Sequence, residues 1–459
     1  MCSFLMTELD VSPEQLARAN ACIRSRGPDS TKTYEDQHGR LWIHNLLNIT
    51  GPATPQPFVS GDDIAMFNGE VYNFKELLPG AQSDGEVLLP LLDELGDEDP
   101  SWLLEKMDME AAGVIWQQSK RRYIIFTDPF ATKPVWWGTK DMKLSVATYR
   151  SALLELGLEA VHIHKVEPGT AIALRRGAWG AWSFKYYQRR PFYAGQQVVD
   201  SYEPWIEAWQ RSIAKRTKDL TQGCFLGLSA GYDSGAISCE LSNQGVDSLS
   251  ISIAAKENPE VLAMRMRQHY GSSELIHLSK KDFDRHLKLI KSRCEPHQYQ
   301  IRTPHNDGMK SYPLHEDKGA IGISVVCERA KERGHKIYLS GQGSDEILSD
   351  YGRNGKRIYS HSTLMGTFPD DLAAVFPWSN FFEGTQAAYI AKEDHVAGMH
   401  GLEGRYPFLD TRLVQAFLNL TPELKNKLYK APLHAYLAQE QYPFTPDEKT
   451  GFSCNHNLR

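Results

Sequence analysis

Ser229-Ala230-Gly231-Tyr232-Asp233-Ser234 carries the first chemical signal in the chain. The run follows a short apolar stretch ending at Leu228 and precedes small and apolar residues at helical spacing. A strand, a tight turn of small residues and a helix start leave free backbone N–H groups and the positive end of a helix dipole facing the turn, which suits an anion. The hydroxyls of Ser229 and Ser234 add donors. Asp233 fits such a cradle only with a divalent cation, Mg²⁺, between it and the phosphates. A second strand end, Ser340-Gly341-Gln342-Gly343-Ser344-Asp345-Glu346, brings Asp345 as another carboxylate for that ion. Together these stretches predict a site that binds ATP and handles pyrophosphate. The plainer alternatives are a helix capped by Asp233 or Ser234, and a solvated loop over 341–346.

Cys2 is the second candidate. If Met1 is removed, Cys2 carries its own α-amino group, a usable general base for the adjacent thiol; otherwise it is an incidental cysteine. Asn68 and Gly69, expected at the end of a strand over Ile64–Phe67, can present a side-chain amide and a backbone N–H to one point, as an oxyanion hole requires. Ser83 or Asp84 caps a helix expected over Val87–Leu95.

Positioning these groups takes two kinds of scaffold. Before residue 185 short strands and turns dominate, among them Leu41–Leu47 and Thr170–Leu174. From Lys185 to Gln197 no period is visible, and this stretch reads as a connection. After it strands alternate with helices: a helix over 202–214, strands 248–253, 274–278 and 337–340, and helices over 259–270 and 281–292. That alternation predicts a parallel sheet with helices on both faces, and ligands on such sheets sit at the carboxyl ends of the strands.

With 459 residues, 24% charged and a net charge of −6, the composition is that of a soluble globular protein with no basic block for nucleic acid. No apolar run approaches the roughly 20 residues of a membrane span. The seven cysteines show no CxxC pair or zinc spacing, so a cytoplasmic location is expected.

Cys2, Arg26-Gly27-Pro28-Asp29-Ser30, Asn68-Gly69-Glu70-Val71-Tyr72-Asn73, Ser83-Asp84-Gly85-Glu86-Val87 and Thr127–Pro134 occur in the order seen in the class II glutamine amidotransferase domain of asparagine synthetases. The second half resembles the synthetase domain of the same family: Ser229–Ser234 is similar to its S-G-G-x-D-S pyrophosphate loop, with Ala230 for a glycine, Ser340–Glu346 to S-G-E-G-x-D-E, and His400–Asp410 to a stretch ending in R-x-P-F-L-D. The resemblance implies an N-terminal-nucleophile α-β-β-α sandwich over residues 1–190, followed over 191–459 by a doubly wound parallel-sheet ATP-pyrophosphatase domain. It implies that Cys2 attacks the glutamine amide, that Asn68 and Gly69 hold the oxyanion, and that Glu70 and Asp84 complete the glutamine site. In the second domain it implies that Gly227, Ser229, Gly231, Asp233, Ser234, Ile251, Ser340 and Gly341 hold ATP, and that Asp233 and Asp345 hold Mg²⁺. It also gives Lys430 a place at the phosphates, although Lys430 alone reads as a solvated surface lysine.

The chemistry so implied has a carboxylate attack the α-phosphorus of ATP, giving an acyl-adenylate and pyrophosphate. Ammonia, carried internally from Cys2, then displaces AMP. Aspartate is the default acid, glutamine or ammonia the donor, and a homodimer the family habit. Two departures stand out. Leu46 occupies the place of an Arg that grips the glutamine α-carboxylate, which leaves compensation by Arg40 or Asn48, or a differently bound donor, as the alternatives. Gln342 occupies the place of a Glu that acts in amide formation, and an amide cannot accept a proton at neutral pH. An enzyme acting on a different acid, such as a sugar acid, peptide or natural-product precursor, and a catalytically weak binding protein remain the alternatives.

Overall fold

The computed structural model describes residues 1–94, 99–177, 181–254, 257–302 and 309–447. The chain divides into two compact units, Met1–Pro191 and Phe192–Arg459.

The first unit holds two six-stranded antiparallel sheets. Strands alternate their side chains, and here both faces of each sheet find a core. Ser3–Thr7 sends Phe4 and Met6 into the core between the sheets and Leu5 into the outer core under helices Pro13–Ala21 and Arg150–Glu155. Asp63–Val71 in the facing sheet does the same, with Ile64 and Met66 between the sheets and Ala65 and Phe67 under helix Leu88–Glu94. The result is the expected α-β-β-α sandwich.

The second unit is built on five parallel strands in the order Gly271–Ile276, Ser248–Ile253, Gly223–Gly227, His335–Leu339, Glu403–Arg405. From Gly223–Gly227 the chain winds outward one way through helix Tyr232–Asn243. It later returns through helix Lys318–Glu332 to pair on the other side. Because such crossovers are right-handed, the helices before and after this reversal cover opposite faces of the sheet. A crevice is left beyond the carboxyl ends of Gly223–Gly227 and His335–Leu339, where both Gly-rich turns emerge.

Several boundaries differ from expectation. Asp63–Val71 runs straight through Asn68 and Gly69, which pair with Ala112 and Ala111, so the two lie inside a strand and not at its end. Sheet pairing overrides the turn-like Asn-Gly sequence there. Trp182–Gln188 pairs along the whole of Thr170–Arg176 and takes in the start of the expected connection. The edge strand begins at Gly271, before the expected 274, and ends at Ile276. The helix expected over Val87–Leu95 is a 3-10 turn, Asp84–Val87, followed by Leu88–Glu94; Leu95 lies outside the described residues. Among the described residues no helix is long and apolar enough to cross a membrane. Cys2, Cys22, Cys224, Cys239, Cys294 and Cys327 are unbridged, and Cys454 lies outside the described residues.

Candidate active sites

In the first unit Cys2 sits just before strand Ser3–Thr7, with Met1 buried beside it. The Leu47 N–H points at the Cys2 sulfur at 3.4 Å, and the thiol points back to the Leu47 carbonyl at 3.8 Å. Arg26, wholly buried, donates through Nε to the Cys2 carbonyl at 3.2 Å and through Nη1 to the Tyr149 hydroxyl at 2.5 Å. The Arg-Gly-Pro-Asp-Ser stretch therefore anchors the backbone of the candidate nucleophile.

Strand Asp63–Val71 packs against Ser3–Thr7 from the opposite sheet. On it, Asn68 is fully buried, and neither its Oδ1 nor its Nδ2 has a hydrogen-bond partner among the described residues. A buried polar atom left unmatched costs about 1–3 kcal/mol, so an amide kept in this state is suited to a ligand. Gly69 follows with φ +130°, and a Cβ there would lie 2.0 Å from the Glu110 carbonyl oxygen. Only glycine fits. Asp84 accepts the Val71 N–H at 2.9 Å, and Glu70 accepts the Thr50 hydroxyl at 2.8 Å. Arg40 does not stand in for the residue missing at Leu46. Its guanidinium is 2.5 Å from Asp36 and stacks over Trp116 at 4.1 Å, so it is committed to the inter-sheet end. Asn48 donates its backbone N–H to Asp29 at 2.8 Å.

In the second unit the turn after Gly223–Gly227 closes on its own side chains. Ser229 Oγ and Ser234 Oγ are 2.9 Å apart, Ser234 Oγ accepts the Ser229 N–H at 3.0 Å, and Ser229 Oγ accepts the Gly231 N–H at 3.1 Å. From beneath, Arg265 donates to the carbonyls of Ser229 and Gly231 at 2.6 and 2.7 Å. Gly235 makes room for that guanidinium, since a Cβ there would lie 2.5 Å from Arg265 Cζ. Glu257 takes the Ala230 N–H at 2.5 Å, and burial pushes its carboxyl pKa up. None of Arg265, Glu257 or Gly235 was singled out from the sequence. Their only signal is the small residue at 235, one turn into the helix.

Asp233 and Asp345 converge on one cation. Lys430 Nζ is 2.6 Å from Asp233 Oδ1 and 2.8 Å from Asp345 Oδ1. Lys430 is 2% exposed, so it is not the solvated lysine of the plainer reading. Ser344 donates to Asp233 at 2.7 Å, and the Tyr429 hydroxyl to Asp345 at 3.2 Å. A cavity of about 290 Å³ opens beside them, lined by Gly227, Ser229, Gly231, Ser234, Gly341 and Gln342 among others. Ser340 is buried outside the lining, and its Oγ donates to Glu393, which does line the cavity. Ile251 is outside the cavity lining, and its carbonyl accepts the Leu228 N–H at 2.8 Å. The opposite wall is aromatic: Tyr312, Tyr351, Tyr359 and Tyr389 face it, with Tyr351 and Tyr359 edge to face at 5.6 Å.

The motif at the end of His400–Asp410 has a different place. Asp410 caps helix Thr411–Asn419 and is buried against Lys215 at 2.5 Å and Arg216 at 3.1 Å. These cations hold its carboxyl below the usual range despite its burial. It serves the fold.

Comparison with known proteins accords with both halves. Residues 1–172 match the family model described as "Glutamine amidotransferase domain", and residues 206–385 and 378–448 match "Asparagine synthase". Asparagine synthetase (glutamine-hydrolyzing) 1 of Bacillus subtilis is 26% identical, with 74% of this chain and 56% of that protein covered. The human asparagine synthetase (glutamine-hydrolyzing) is 24% identical over 82% of this chain and 68% of its own length. That of Sandersonia aurantiaca is 23% identical over 92% and 79%. The chain thus spans little more than half of the first of these relatives.

Proposed function

The chain belongs to the asparagine synthase family, and on that premise we propose that it is a glutamine- and ATP-dependent amide synthetase. The observation that carries the reading is the convergence of Asp233 and Asp345 on Lys430 at the reversal point of the sheet. The Ser229–Ser234 turn receives the phosphates, and Gly227 and Gly341 border the nucleoside, with Ile251 and Ser340 buried behind them. The acid's carboxylate attacks the α-phosphorus, and Lys430 neutralises charge on the departing pyrophosphate. Asp233 and Asp345 are the hard oxygen ligands that would hold Mg²⁺, although the Lys430 ammonium occupies the point on which they converge. Bound there, Mg²⁺ supplies further charge neutralisation on the pyrophosphate. Ammonia then displaces AMP from the acyl-adenylate.

The first unit supplies that ammonia from glutamine. Once Met1 is removed, the Cys2 α-amino group takes the thiol proton and the sulfur attacks the side-chain amide. The unpartnered Asn68 amide and the Gly69 N–H hold the oxyanion, with Glu70 and Asp84 at the substrate's amino end.

Aspartate is the default acid. A second reading, a different and bulkier acid, is favoured by the tyrosine wall and by Gln342. Pyrophosphate release measured across a panel of carboxylic acids separates the two: release with aspartate supports the first, and release only with another acid supports the second. No release with any acid overturns both.

A further inference from the structure

Turning an amine into an amide releases a proton, and Gln342 cannot take it. Of the carboxylates that line the cavity, Asp233 and Asp345 meet Lys430 and Asp317 meets Lys392 and the Tyr299 hydroxyl, which leaves Glu346 and Glu393. Glu346 is committed to the fold, since it accepts the Tyr351 hydroxyl at 2.6 Å and lies almost wholly buried beside Asp345. Glu393 comes from an unrelated segment, helix Thr385–Met399. The Ser340 hydroxyl donates to its Oε2, and the same hydroxyl accepts the Gln342 N–H at 3.0 Å. One oxygen atom thus ties Glu393 to the residue whose acid function is missing. The other Glu393 carboxylate oxygen has no hydrogen bond among the described residues, and the residue belongs to the cavity wall.

We propose that Glu393 is the general base of the amide-forming step, replacing a function that position 342 has lost. The proposal rests on the synthetase reading above. The nitrogen lone pair of ammonia forms a C–N bond to the acyl carbon of the adenylate, and a nitrogen proton passes to the free Glu393 oxygen. The carbonyl re-forms as the C–O bond to AMP breaks, its electron pair leaving on the phosphate oxygen. Glu393 then gives the proton to solvent.

The surroundings suit this work. Burial raises the Glu393 pKa to about 7; the Ser340 hydroxyl and Lys392 pull it down and Glu346 pushes it up. The Tyr338 hydroxyl and Cys327 thiol also face it, and burial keeps both protonated. A base whose pKa lies near the working pH is the most effective kind.

The experiment compares wild type with Glu393→Gln and Glu393→Asp in the full chain. ATP–pyrophosphate exchange with a panel of acids reads activation, and amide formation from ammonium chloride in single turnover reads the second step. We expect Glu393→Gln to keep exchange within about threefold and to lose amide formation by about 100-fold or more. It should also lose the rise of the amide-forming rate through pH about 7 that wild type shows. Glu393→Asp should recover part of the rate and of the pH dependence. Amide formation within threefold of wild type in Glu393→Gln, or exchange and amide formation falling together, overturns the role of Glu393 alone. Absence of exchange in wild type with every acid overturns the synthetase reading and this proposal with it.

Discussion

Lys430 places its ammonium 2.6 Å from Asp233 Oδ1, although 197 positions separate the two residues in the chain. Replacing Lys430 by Gln removes the positive charge from the phosphate end of the cavity while nearly keeping the side chain's reach. ATP–pyrophosphate exchange should fall about 100- to 1,000-fold, the usual cost of one electrostatic contact to a leaving group. Glutaminase activity should not change, because Lys430 belongs to the second unit.

Cys2→Ala should abolish glutamine-dependent synthesis and leave ammonia-driven synthesis intact. Amide formation with each nitrogen source checks this. Retained glutaminase activity would refute the nucleophile assignment.

Asn68→Ala separates function from stability. The side chain makes no hydrogen bond among the described residues, so its removal takes away an unmatched buried amide. Glutaminase should drop about 100- to 1,000-fold, while Tm stays level or rises. A clear fall in Tm would make Asn68 a structural residue.

Gly69→Ala should act in the opposite way. The new Cβ collides with the Glu110 carbonyl at 2.0 Å on a backbone that L residues rarely adopt. A loss of at least about 2 kcal/mol is expected in urea unfolding, from strain and overpacking together.

Asp410→Asn should destabilise by about 3–5 kcal/mol, because it removes the buried negative charge that Lys215 and Arg216 meet. The pH dependence has a definite sign. The folded pKa of Asp410 is depressed below the ordinary value of 3.8, so its stabilising contribution is present above that value and is lost as pH falls below it. Thermal melts between pH 5 and about 2 should show this loss in wild type and a flatter profile in the variant.

The sequence made the parallel sheet and the phosphate turn legible because both rest on local pattern: apolar runs, small residues and helical spacing around Ser229–Ser234. Asn68-Gly69 reads from sequence as the end of a strand, and the structure sets it inside one. The dipeptide reads as a turn, and only the pairing with Ala111 and Ala112 holds it in a strand. Glu393 and Arg265 were invisible for a different reason. Each is an ordinary charged residue on a helix, and its importance comes from Ser340 or Ser229, which lie 53 and 36 positions away. Asp410 shows the converse. Its motif counts only toward the family resemblance, and its partners make it a cap and a charge clamp.

The guanidinium beneath the phosphate turn has a thermodynamic consequence. Arg265 fixes two carbonyls of the Ser229–Gly231 segment from within the fold, so on the proposed function the segment surrenders conformational freedom during folding that it need not lose on binding a nucleotide. Calorimetry on Arg265→Lys should then register the weakened affinity chiefly as a more unfavourable entropy of binding, with the enthalpy of the phosphate contacts nearly retained.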